Sequence, residues 1–379
     1  MALATAAGDR LVIQLMGLHS RRLVDGRRIT RRHTAPRLRR PKPLPAPTKL
    51  MTDSLRTMKT ATANEAKACF DSIYNRHTPH DYCSYLGDLD YSICDEIRPF
   101  ADAAASLLQE WESRVRMVDI GCSYGINAAA LKHDILFAEL ARFFEANVPK
   151  DPEAAHKKVK AALAKNDAAI EMECVGLDIS APAVGFACNA GLLDHGVVAD
   201  LERGPETLSA TDREWIRGAN LLLATGAIGY VTDRTVNALL RTMAGAAPNA
   251  VVLLTVLRVF DSESIIKAVS QHGLKMASIE SVLLPQRRFH TADEQSKIVR
   301  VLDELGLDST PERSGRHYAK LLVAARPDRL PILEARMGEI AASRMTLKAN
   351  PQCEEETQHS IAEVVVSGNS IALRQRELR

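Results

Sequence analysis

Apolar and polar residues alternate in blocks through the middle of the chain, in the rhythm of strands and helices. Seven short apolar runs predict β-strands, and stretches with apolar residues at helical spacing separate most of them. The runs cover 115–120, 172–179, 195–201, 219–225, 249–257, 276–284 and 317–325. Continuous apolar strands that alternate with helices are typical of a parallel sheet covered on both faces. The pattern therefore predicts a doubly wound α/β fold.

Helical spacing also precedes the first predicted strand. Residues 62–76 and 92–113 place apolar side chains on one face of a helix, and the segment 77–91 between them has the composition of a loop. We expect these helices to form an N-terminal cap on the main domain. The predicted division is a basic, Pro/Arg-rich disordered extension over 1–50, the cap over 51–112, the main domain over 113–326 and a C-terminal tail over 327–379 that begins with a helix.

Charge separates the first fifty residues from the rest. The chain has 49 Lys and Arg and 47 Asp and Glu, and twelve of the basic residues but only two acids lie in 1–50, which leaves the remainder at −8. An acidic body does not favour a nucleic-acid partner. The basic start could be a transit peptide or an arm for nucleic acid or anionic lipid, yet it has one Ser and no aromatic residue. We interpret it as a disordered extension.

Cysteine and histidine usage narrows the class further. The seven cysteines form no C-x-x-C pair, and His77 and His80 form H-x-x-H without a third residue at metal-ligand spacing. No run approaches the roughly 18 apolar residues that a membrane-spanning helix needs. We therefore expect a cytoplasmic protein with free thiols, without a metal site and without a membrane segment. Its oligomeric state is left open.

The stretch "MVDIGCSYGINAAALKHD" contains a strand end, a glycine turn and a helix start. A triphosphate-binding turn would need Gly-Lys followed by Ser or Thr, and the first lysine after the turn is Lys132. A dinucleotide turn would have a second glycine where Ser123 stands, between Gly121 and Gly125. Asp119 would also bring a carboxylate towards the pyrophosphate. Both phosphate-bearing ligands are therefore disfavoured.

S-adenosylmethionine reverses this electrostatic argument, because it has no phosphate and carries an ammonium and a sulfonium group. A carboxylate at Asp119 then suits the ligand, and glycines let the backbone approach it. The sequence "VDIGCSYG" resembles the first motif of the class I S-adenosylmethionine-dependent methyltransferases, D/E-x-G-x-G-x-G, with Ser123 in place of the second glycine. The resemblance extends over about 115–325.

The resemblance implies a Rossmann-like sheet of seven strands and assigns roles to the later strand ends. Asp178, after the second strand, would bind both ribose hydroxyls, since a carboxylate offers two acceptors to a vicinal diol. Asp200, after the third, would lie near the adenine amino group, and 221–233 would lie beside the methyl group. The predicted cofactor site comprises Asp119, Gly121, Cys122, Ser123, Gly125, Asp178, Ile179, Asp200, Leu201 and Thr225.

One segment lengthens the expected pattern. The ribose acid usually follows the glycine turn by about 20 residues, whereas Asp178 follows Asp119 by 59. The extra residues, about 132–169, predict a prolonged first helix, a Pro-containing turn near 148–152 and a second helix. This helical insertion after the first strand would be either a lid or partner surface near the cofactor cleft, or a surface hairpin.

The resemblance implies methyl transfer by in-line displacement, for which positioning supplies most of the catalysis. A base is needed only where the acceptor must lose a proton, and the candidates are Tyr230 and His290. Tyr82, Tyr85 and Tyr91 of the cap are further candidates, the last two for contact with the methionine end. The Asn/Asp-Pro-Pro-Tyr/Phe loop of nucleic-acid amino methyltransferases is absent after the fourth strand.

A small-molecule acceptor is therefore expected, methylated on O, N or C, while a protein acceptor remains open. Two alternatives to this enzyme are kept. One is a catalytically silent regulatory or partner subunit with the same fold, and the other is an NAD-linked oxidoreductase.

Overall fold

A computed structural model describes residues 71–112, 114–164, 171–243, 249–349, 366–367 and 370–371. The basic extension predicted for 1–50 lies outside the described residues. So does most of the helix predicted for 62–76.

A mixed sheet of seven strands forms the centre of the described fold, in the order β3-β2-β1-β4-β5-β7-β6. Its strands are β1 Arg116–Ile120, β2 Glu173–Asp178, β3 His195–Val198, β4 Leu221–Ala224, β5 Val251–Leu257, β6 Lys275–Arg288 and β7 Arg316–Ala325. The first five run parallel, and β7 inserts antiparallel between β5 and β6. The predicted seven-stranded doubly wound sheet is confirmed, but it is parallel only over β1 to β5. Two further short strands, β8 Val366–Ser367 and β9 Ser370–Ile371, pair separately.

Helices cover both faces of this sheet. They are α1 Asp71–Tyr74, α2 His80–Asp88, α3 Ile93–Trp111, α4 Ile126–His133, α5 Phe137–Asn147, α6 Pro152–Leu163, α7 Ala181–Ala190, α8 Ala210–Arg217, α9 Asp233–Met243, α10 Glu263–Ser270, α11 Ala292–Glu304, α12 Thr310–Arg313 and α13 Leu330–Ala349. Alternate strand residues point to opposite faces, so Leu221 and Leu223 pack with α2 to α7 and α13, whereas Leu222 packs with α8 to α10. The result is three layers with the sheet in the middle.

The segment 77–91 departs from its predicted loop. It contains α2, whose Tyr82, Cys83 and Leu86 are buried. These three positions share one helical face, and that face packs against α5. The loop prediction was wrong because the polar residues around this short helix hid its single apolar stripe.

The insertion after β1 also differs from its prediction. Instead of one prolonged helix, α4 ends at His133, Asp134 adopts a left-handed backbone with φ 54°, and α5 begins at Phe137. The two inserted helices do not stand free: α5 packs against α2 of the cap and α6 packs against α7. An edge-to-face contact of the Tyr82 and Phe137 rings, with centroids 6.1 Å apart, joins the insertion to the cap.

The segment predicted as a tail begins with α13, which packs on α3, β6 and β7. Its apolar residues Leu330, Leu333 and Met337 are buried and recur at helical spacing. This helix therefore belongs to the layered fold. Across the described residues, every helix is too short or too polar to cross a bilayer.

Candidate functional site

A cavity of about 630 Å³ lies at the carboxyl ends of the parallel strands. Ligands of open α/β sheets bind at this edge, and small-molecule sites typically enclose about 300–1,000 Å³. Part of the wall is formed by residues at the ends of the strands, such as Gly121, Asp178, Asp200 and Thr225. The cap adds Tyr74, Tyr82 and Tyr91, and β6 and β7 add Gln286, Arg287 and His317. Residues from the whole width of the sheet thus meet in one cavity.

The predicted cofactor residues divide into two groups. Those on the cavity wall are Gly121, Cys122, Asp178, Ile179, Asp200, Leu201 and Thr225. Asp119, Ser123 and Gly125 lie behind the wall, where they shape the residues that reach it. The two glycines illustrate the difference. A Cβ at Gly121 would lie 2.7 Å from the Cβ of Ala227 in the loop after β4, whereas one at Gly125 would meet Ala187 at 3.2 Å in α7.

Ser123 keeps a glycine-like backbone without being glycine. Its φ is +48°, in the left-handed region that costs a residue with a side chain roughly 1–2 kcal/mol. Its hydroxyl is buried, and no described residue forms a hydrogen bond with it. Its backbone N–H, however, donates to Asp178 Oδ2 at 2.9 Å. The turn therefore has the geometry of a glycine turn, and that geometry orients the acid after β2.

Asp178 is held by backbone donors on both carboxylate oxygens. Oδ1 accepts from the N–H of Ser180 at 2.9 Å, and Oδ2 accepts from Ser123. Burial raises the pKa of the carboxyl, and these backbone hydrogen bonds oppose the rise. Each carboxylate oxygen can accept a further hydrogen bond from a ligand. The next residue, Ile179, is 73% exposed on the cavity wall, which leaves an apolar surface beside the acid.

The loop after β3 carries two further acids on the wall. Asp200 accepts from the N–H of Glu202 at 3.1 Å and pairs with Arg203 at 3.1 Å. Glu202 accepts from the hydroxyls of Thr232 and Thr235, at 2.7 and 2.6 Å, which joins this loop to α9. We call the part of the wall formed by Asp178, Asp200 and Glu202 the acidic end of the cavity.

Asp119 is fully buried and acts through its neighbours. Its Oδ1 accepts from Asn127 Nδ2 at 2.8 Å, the same amide group donates to Thr225 Oγ1 at 2.9 Å, and Oδ2 has no partner among the described residues. Burial raises the pKa of Asp119 to about 7, and the charge of Asp178 adds to the rise while Asn127 opposes it. Asn127 and Thr225 are on the wall. Asn127 was missed from the sequence, although it is a polar residue at the start of an Ala-rich helix.

Tyr124 links the glycine turn to the cap. Its hydroxyl lies 3.2, 3.3 and 3.0 Å from the carbonyl oxygens of Ile73, Tyr74 and Arg76, and it accepts from the Arg76 N–H at 3.2 Å. The Ser180 hydroxyl donates to the same Tyr74 carbonyl at 2.7 Å. Residues from two strand ends therefore fix the segment that carries Tyr74 onto the cavity wall.

Some of the candidate bases and cap tyrosines lie on the cavity wall and others do not. Tyr230 lies on the wall and is 52% exposed, and Tyr82 and Tyr91 also reach it. His290 does not line the cavity: its Nδ1 lies 3.0 Å from the hydroxyl of Tyr85, which is likewise outside the wall. The sequence candidate His290 is thus separated from the site, whereas Tyr230 stays a candidate.

In the H-x-x-H pair, His80 makes structural contacts. His80 contacts the Val148 carbonyl oxygen through Nε2 and the Thr78 hydroxyl through Nδ1, both at 3.0 Å, and His77 is exposed. In the described part of the chain, no three His, Cys, Asp or Glu side chains are grouped so that they could hold a metal ion.

At the opposite side of the sheet, β6 and β7 contribute polar residues that sequence reasoning missed. Gln286, Arg287 and His317 lie on the wall, and we call this the β7 end of the cavity. Arg287 is the only lysine or arginine among the described wall residues, and Glu294 pairs with it at 2.7 Å. The acidic end thus carries carboxylates without a lysine or arginine on its wall.

The chain has the fold of the class I S-adenosylmethionine-dependent methyltransferases. The strand order, the glycine turn after β1 and the acid after β2 carry this assignment.

Comparisons with known proteins find similarity at low identity and low TM-score. No family model and no curated protein matches the chain. Similar solved structures include the plantazolicin methyltransferase BamL with a triazolic desmethylPZN analog and SAH, at 13% identity over 72% of this chain and 98% of that one with a TM-score of 0.37. The plantazolicin methyltransferase BpumL with SAH has 10% identity over 73% and 99%, with a TM-score of 0.31. The (4+2)-cyclase SpnF has 14% identity over 60% and 81%, with a TM-score of 0.29. Such low scores support no conclusion about function.

Proposed function

We propose that this protein transfers the methyl group of S-adenosylmethionine to a small-molecule acceptor. The observation that carries the proposal is the acidic end of the cavity. Asp178, Asp200 and Glu202 face one space, and the unpartnered Oδ2 of Asp119 lies behind it. Such a site repels phosphates and suits a cationic cofactor that has none. An NAD-linked reaction would instead place a pyrophosphate at the glycine turn, beside the carboxylate of Asp119.

The wall residues match the parts of this cofactor. Asp178 would accept from the ribose hydroxyls with the lone pairs that Ser123 and Ser180 leave free. Ile179 would pack against the adenine ring and Asp200 would lie towards its amino group. Asn127, with Asp119 behind it, would hold the ammonium end.

The bound cofactor would supply a methyl group on a sulfonium, which is already activated for displacement. The chain's contribution would be to hold the acceptor in line and to keep water out. Tyr74, Tyr82 and Tyr91 cover the cavity from the cap side. The loop after β4 lies between the two ends, and a Cβ at Gly226 would come within 3.2 Å of Gln286 and 3.6 Å of Tyr91. With the cofactor at the acidic end, the acceptor would lie towards the β7 end.

Calorimetric titration of the full chain with S-adenosylmethionine, S-adenosylhomocysteine and NADH tests the cofactor class. We expect both sulfur compounds to bind and NADH not to bind. Binding of NADH alone would contradict the proposal. Turnover on a metabolite panel then distinguishes an enzyme from a silent subunit, since the silent subunit would bind the cofactor without transferring its methyl group.

Asp119 gives a second, activity-independent test. Because the pKa of its carboxyl is about 7 in the free protein and a bound cation favours the ionised form, binding near neutral pH should release a proton. Affinity should therefore rise as the pH rises through 7. Titration in two buffers of different ionisation enthalpy measures the release. Asp119→Asn should abolish it, and equal proton release in the variant would exclude Asp119 as the source.

A further inference from the structure

Three buried titratable side chains at the β7 end have no part in holding the cofactor. Glu294 Oε1 lies 2.7 Å from Arg287 Nη2 and 3.0 Å from His317 Nε2. The side chains are buried: Arg287 is 7% exposed, Glu294 10% and His317 4%. We call Arg287, Glu294 and His317 the buried triad. Arg287 and His317 lie on the cavity wall and Glu294 lies behind them. Burying such groups is costly unless they are paired, so their place beside the cavity calls for a role.

The hydrogen bonds of the buried triad fix the protonation of His317. Burial would raise the pKa of Glu294, but hydrogen bonds from His317 and Arg287 outweigh it and lower the pKa to about 2. Glu294 is therefore an ionised acceptor, and a neutral His317 must donate to it from Nε2. The remaining nitrogen, Nδ1, then carries a lone pair, and the hydrogen bond that His317 makes within the described residues is the one from Nε2.

Charges from each neighbouring element act on His317. Burial lowers the pKa of its imidazole, Arg287 of β6 lowers it further, and Glu294 of α11 opposes both. On α12, Glu312 is committed to Arg258 at 2.6 Å. The Phe289 ring packs on the imidazole with centroids 4.2 Å apart. The ring is therefore held neutral and in one orientation, which are the requirements for a base that works near neutral pH.

The surroundings of His317 indicate the kind of acceptor. The wall residues that cluster with Phe289, the ring packed on His317, are apolar: Leu257, Val259, Phe260 and Ile298. Gln286 adds a buried side-chain carbonyl oxygen that has no hydrogen-bond partner in the described part of the chain. The carboxylates on the described wall lie at the acidic end, so the β7 end offers no unpaired negative charge to an ammonium acceptor. A neutral group with a polar hydrogen on an apolar body fits best.

Resting on the proposed methyl transfer, we propose that His317 is the general base for an acceptor hydroxyl on an apolar, phenol-like molecule, and that Glu294 is the positioning residue that orients it. The hydroxyl proton passes to His317 Nδ1, and the acceptor oxygen uses the electron pair so released to bond to the methyl carbon. The methyl–sulfonium bond breaks and leaves its pair on sulfur, which gives a neutral thioether. Glu294 stabilises the imidazolium until its proton returns to water. Gln286 accepts a hydrogen bond from a donor on the same molecule.

The test uses full-length protein, S-adenosylmethionine with a tritiated methyl group, and a probe series of nitrophenol, phenol, methoxyphenol, naphthol and aniline. We expect methyl transfer to the phenols. His317→Gln should lower kcat/KM about 100- to 10,000-fold, with unchanged S-adenosylhomocysteine affinity. The loss should be smallest for nitrophenol, which ionises without help. His272→Gln is the matched control, because that histidine pairs with Asn237 away from the cavity.

Two further readouts separate a base from a structural residue. Nitrogen NMR of the His317 ring, assigned by comparison with His317→Gln, should show the Nε2–H tautomer in the wild type and a mixture in Glu294→Gln. Because Glu294 raises the pKa of His317, Glu294→Gln should also move the acid limb of the kcat/KM profile to lower pH. A merely structural Glu294 would leave the position of that limb unchanged.

Each contrary result has a distinct meaning. Wild-type protein that binds S-adenosylhomocysteine but methylates only aniline, or no probe, would overturn the hydroxyl assignment. Wild-type kcat/KM in His317→Gln, or an Nδ1–H tautomer in the wild type, would overturn the base. Absence of cofactor binding would instead overturn the proposed function. If His317→Gln does not fold, the tautomer in the wild type decides the question, with assignment from His317→Asn.

Discussion

The two ends of the cavity are held in place by different means. At the acidic end, Asp178 ends β2 and Asp200 comes shortly after β3, and backbone N–H groups hold their carboxylates: those of Ser180 and Glu202 two residues further on, and that of Ser123 in the neighbouring turn. At the β7 end, Arg287, Glu294 and His317 come from β6, α11 and β7, and they fix one another through side chains. The acidic end therefore depends mainly on strand ends and backbone groups, whereas the β7 end exists only once distant side chains have packed together.

Two buried carboxyls, Glu294 at the β7 end and Asp119 behind the acidic end, should make the stability of the fold respond in opposite ways to pH. Glu294 has its pKa lowered from 4.5 to about 2, so the folded state gains stability as the pH rises through this window. Asp119 has its pKa raised from 3.8 to about 7, so the folded state loses stability as the pH rises between these values. Glu294 and Asp119 therefore contribute opposing slopes to the pH dependence of stability.

The largest expected effect is on the pH dependence of stability. Glu294 should contribute about 3 kcal/mol at neutral pH that is lost as the pH falls from 4.5 to 2, since each pKa unit is worth about 1.4 kcal/mol. Urea unfolding over a pH series should show this slope in the wild type. Glu294→Gln should lack it, while Asp119→Asn should lack the opposite slope above pH 3.8. Parallel curves for Glu294→Gln and the wild type would mean that the triad contributes nothing to stability.

A somewhat smaller effect is expected for the acid after β2. Asp178→Ala should weaken S-adenosylhomocysteine by about 10- to 100-fold, because a hydrogen bond to a charged group is worth about 1.5–3 kcal/mol. Calorimetric dissociation constants measure the change. Asp212→Ala serves as control, since Asp212 pairs with His195 at 2.8 Å and does not line the cavity. An unchanged constant in Asp178→Ala would remove the ribose assignment.

The smallest effect concerns the turn that orients Asp178. Ser123→Gly should raise the free energy of unfolding by about 1 kcal/mol, because it relieves the left-handed backbone and removes a buried hydroxyl without a partner. Ser123→Ala removes the hydroxyl but keeps the Cβ, so it should gain less. Denaturant unfolding of the three proteins gives the comparison. A destabilised glycine variant would show that the turn is not strained.

The acidic end was largely predictable because it obeys a local rule. An apolar strand followed by an acid, as at Asp178 and Asp200, marks a position at the carboxyl edge of the sheet wherever the strand pairs. The same rule located Gly121 and Thr225. It did not show that Asp119 stands behind the wall, because depth depends on how Asn127 and α4 pack over it.

The β7 end was not predictable by that rule. The insertion of β7 between β5 and β6 depends on tertiary pairing, and only this pairing brings His317 beside Glu294. One signal was present: His317 shares the inward face of β7 with Ala319 and Leu321, and all three are buried. A histidine among the core positions of a strand indicates a partnered site.

The Tyr124 hydroxyl also sets a lower limit for trimming the chain. It lies beside the carbonyl groups of residues 73–76, and the Ser180 hydroxyl shares one of them. A shortened protein that starts after Arg76 would keep the whole sheet, yet both hydroxyls would lose the carbonyl groups to which they donate, and Tyr74 would be gone from the wall. Expression boundaries for structural work must therefore lie N-terminal to residue 73, well before the first strand.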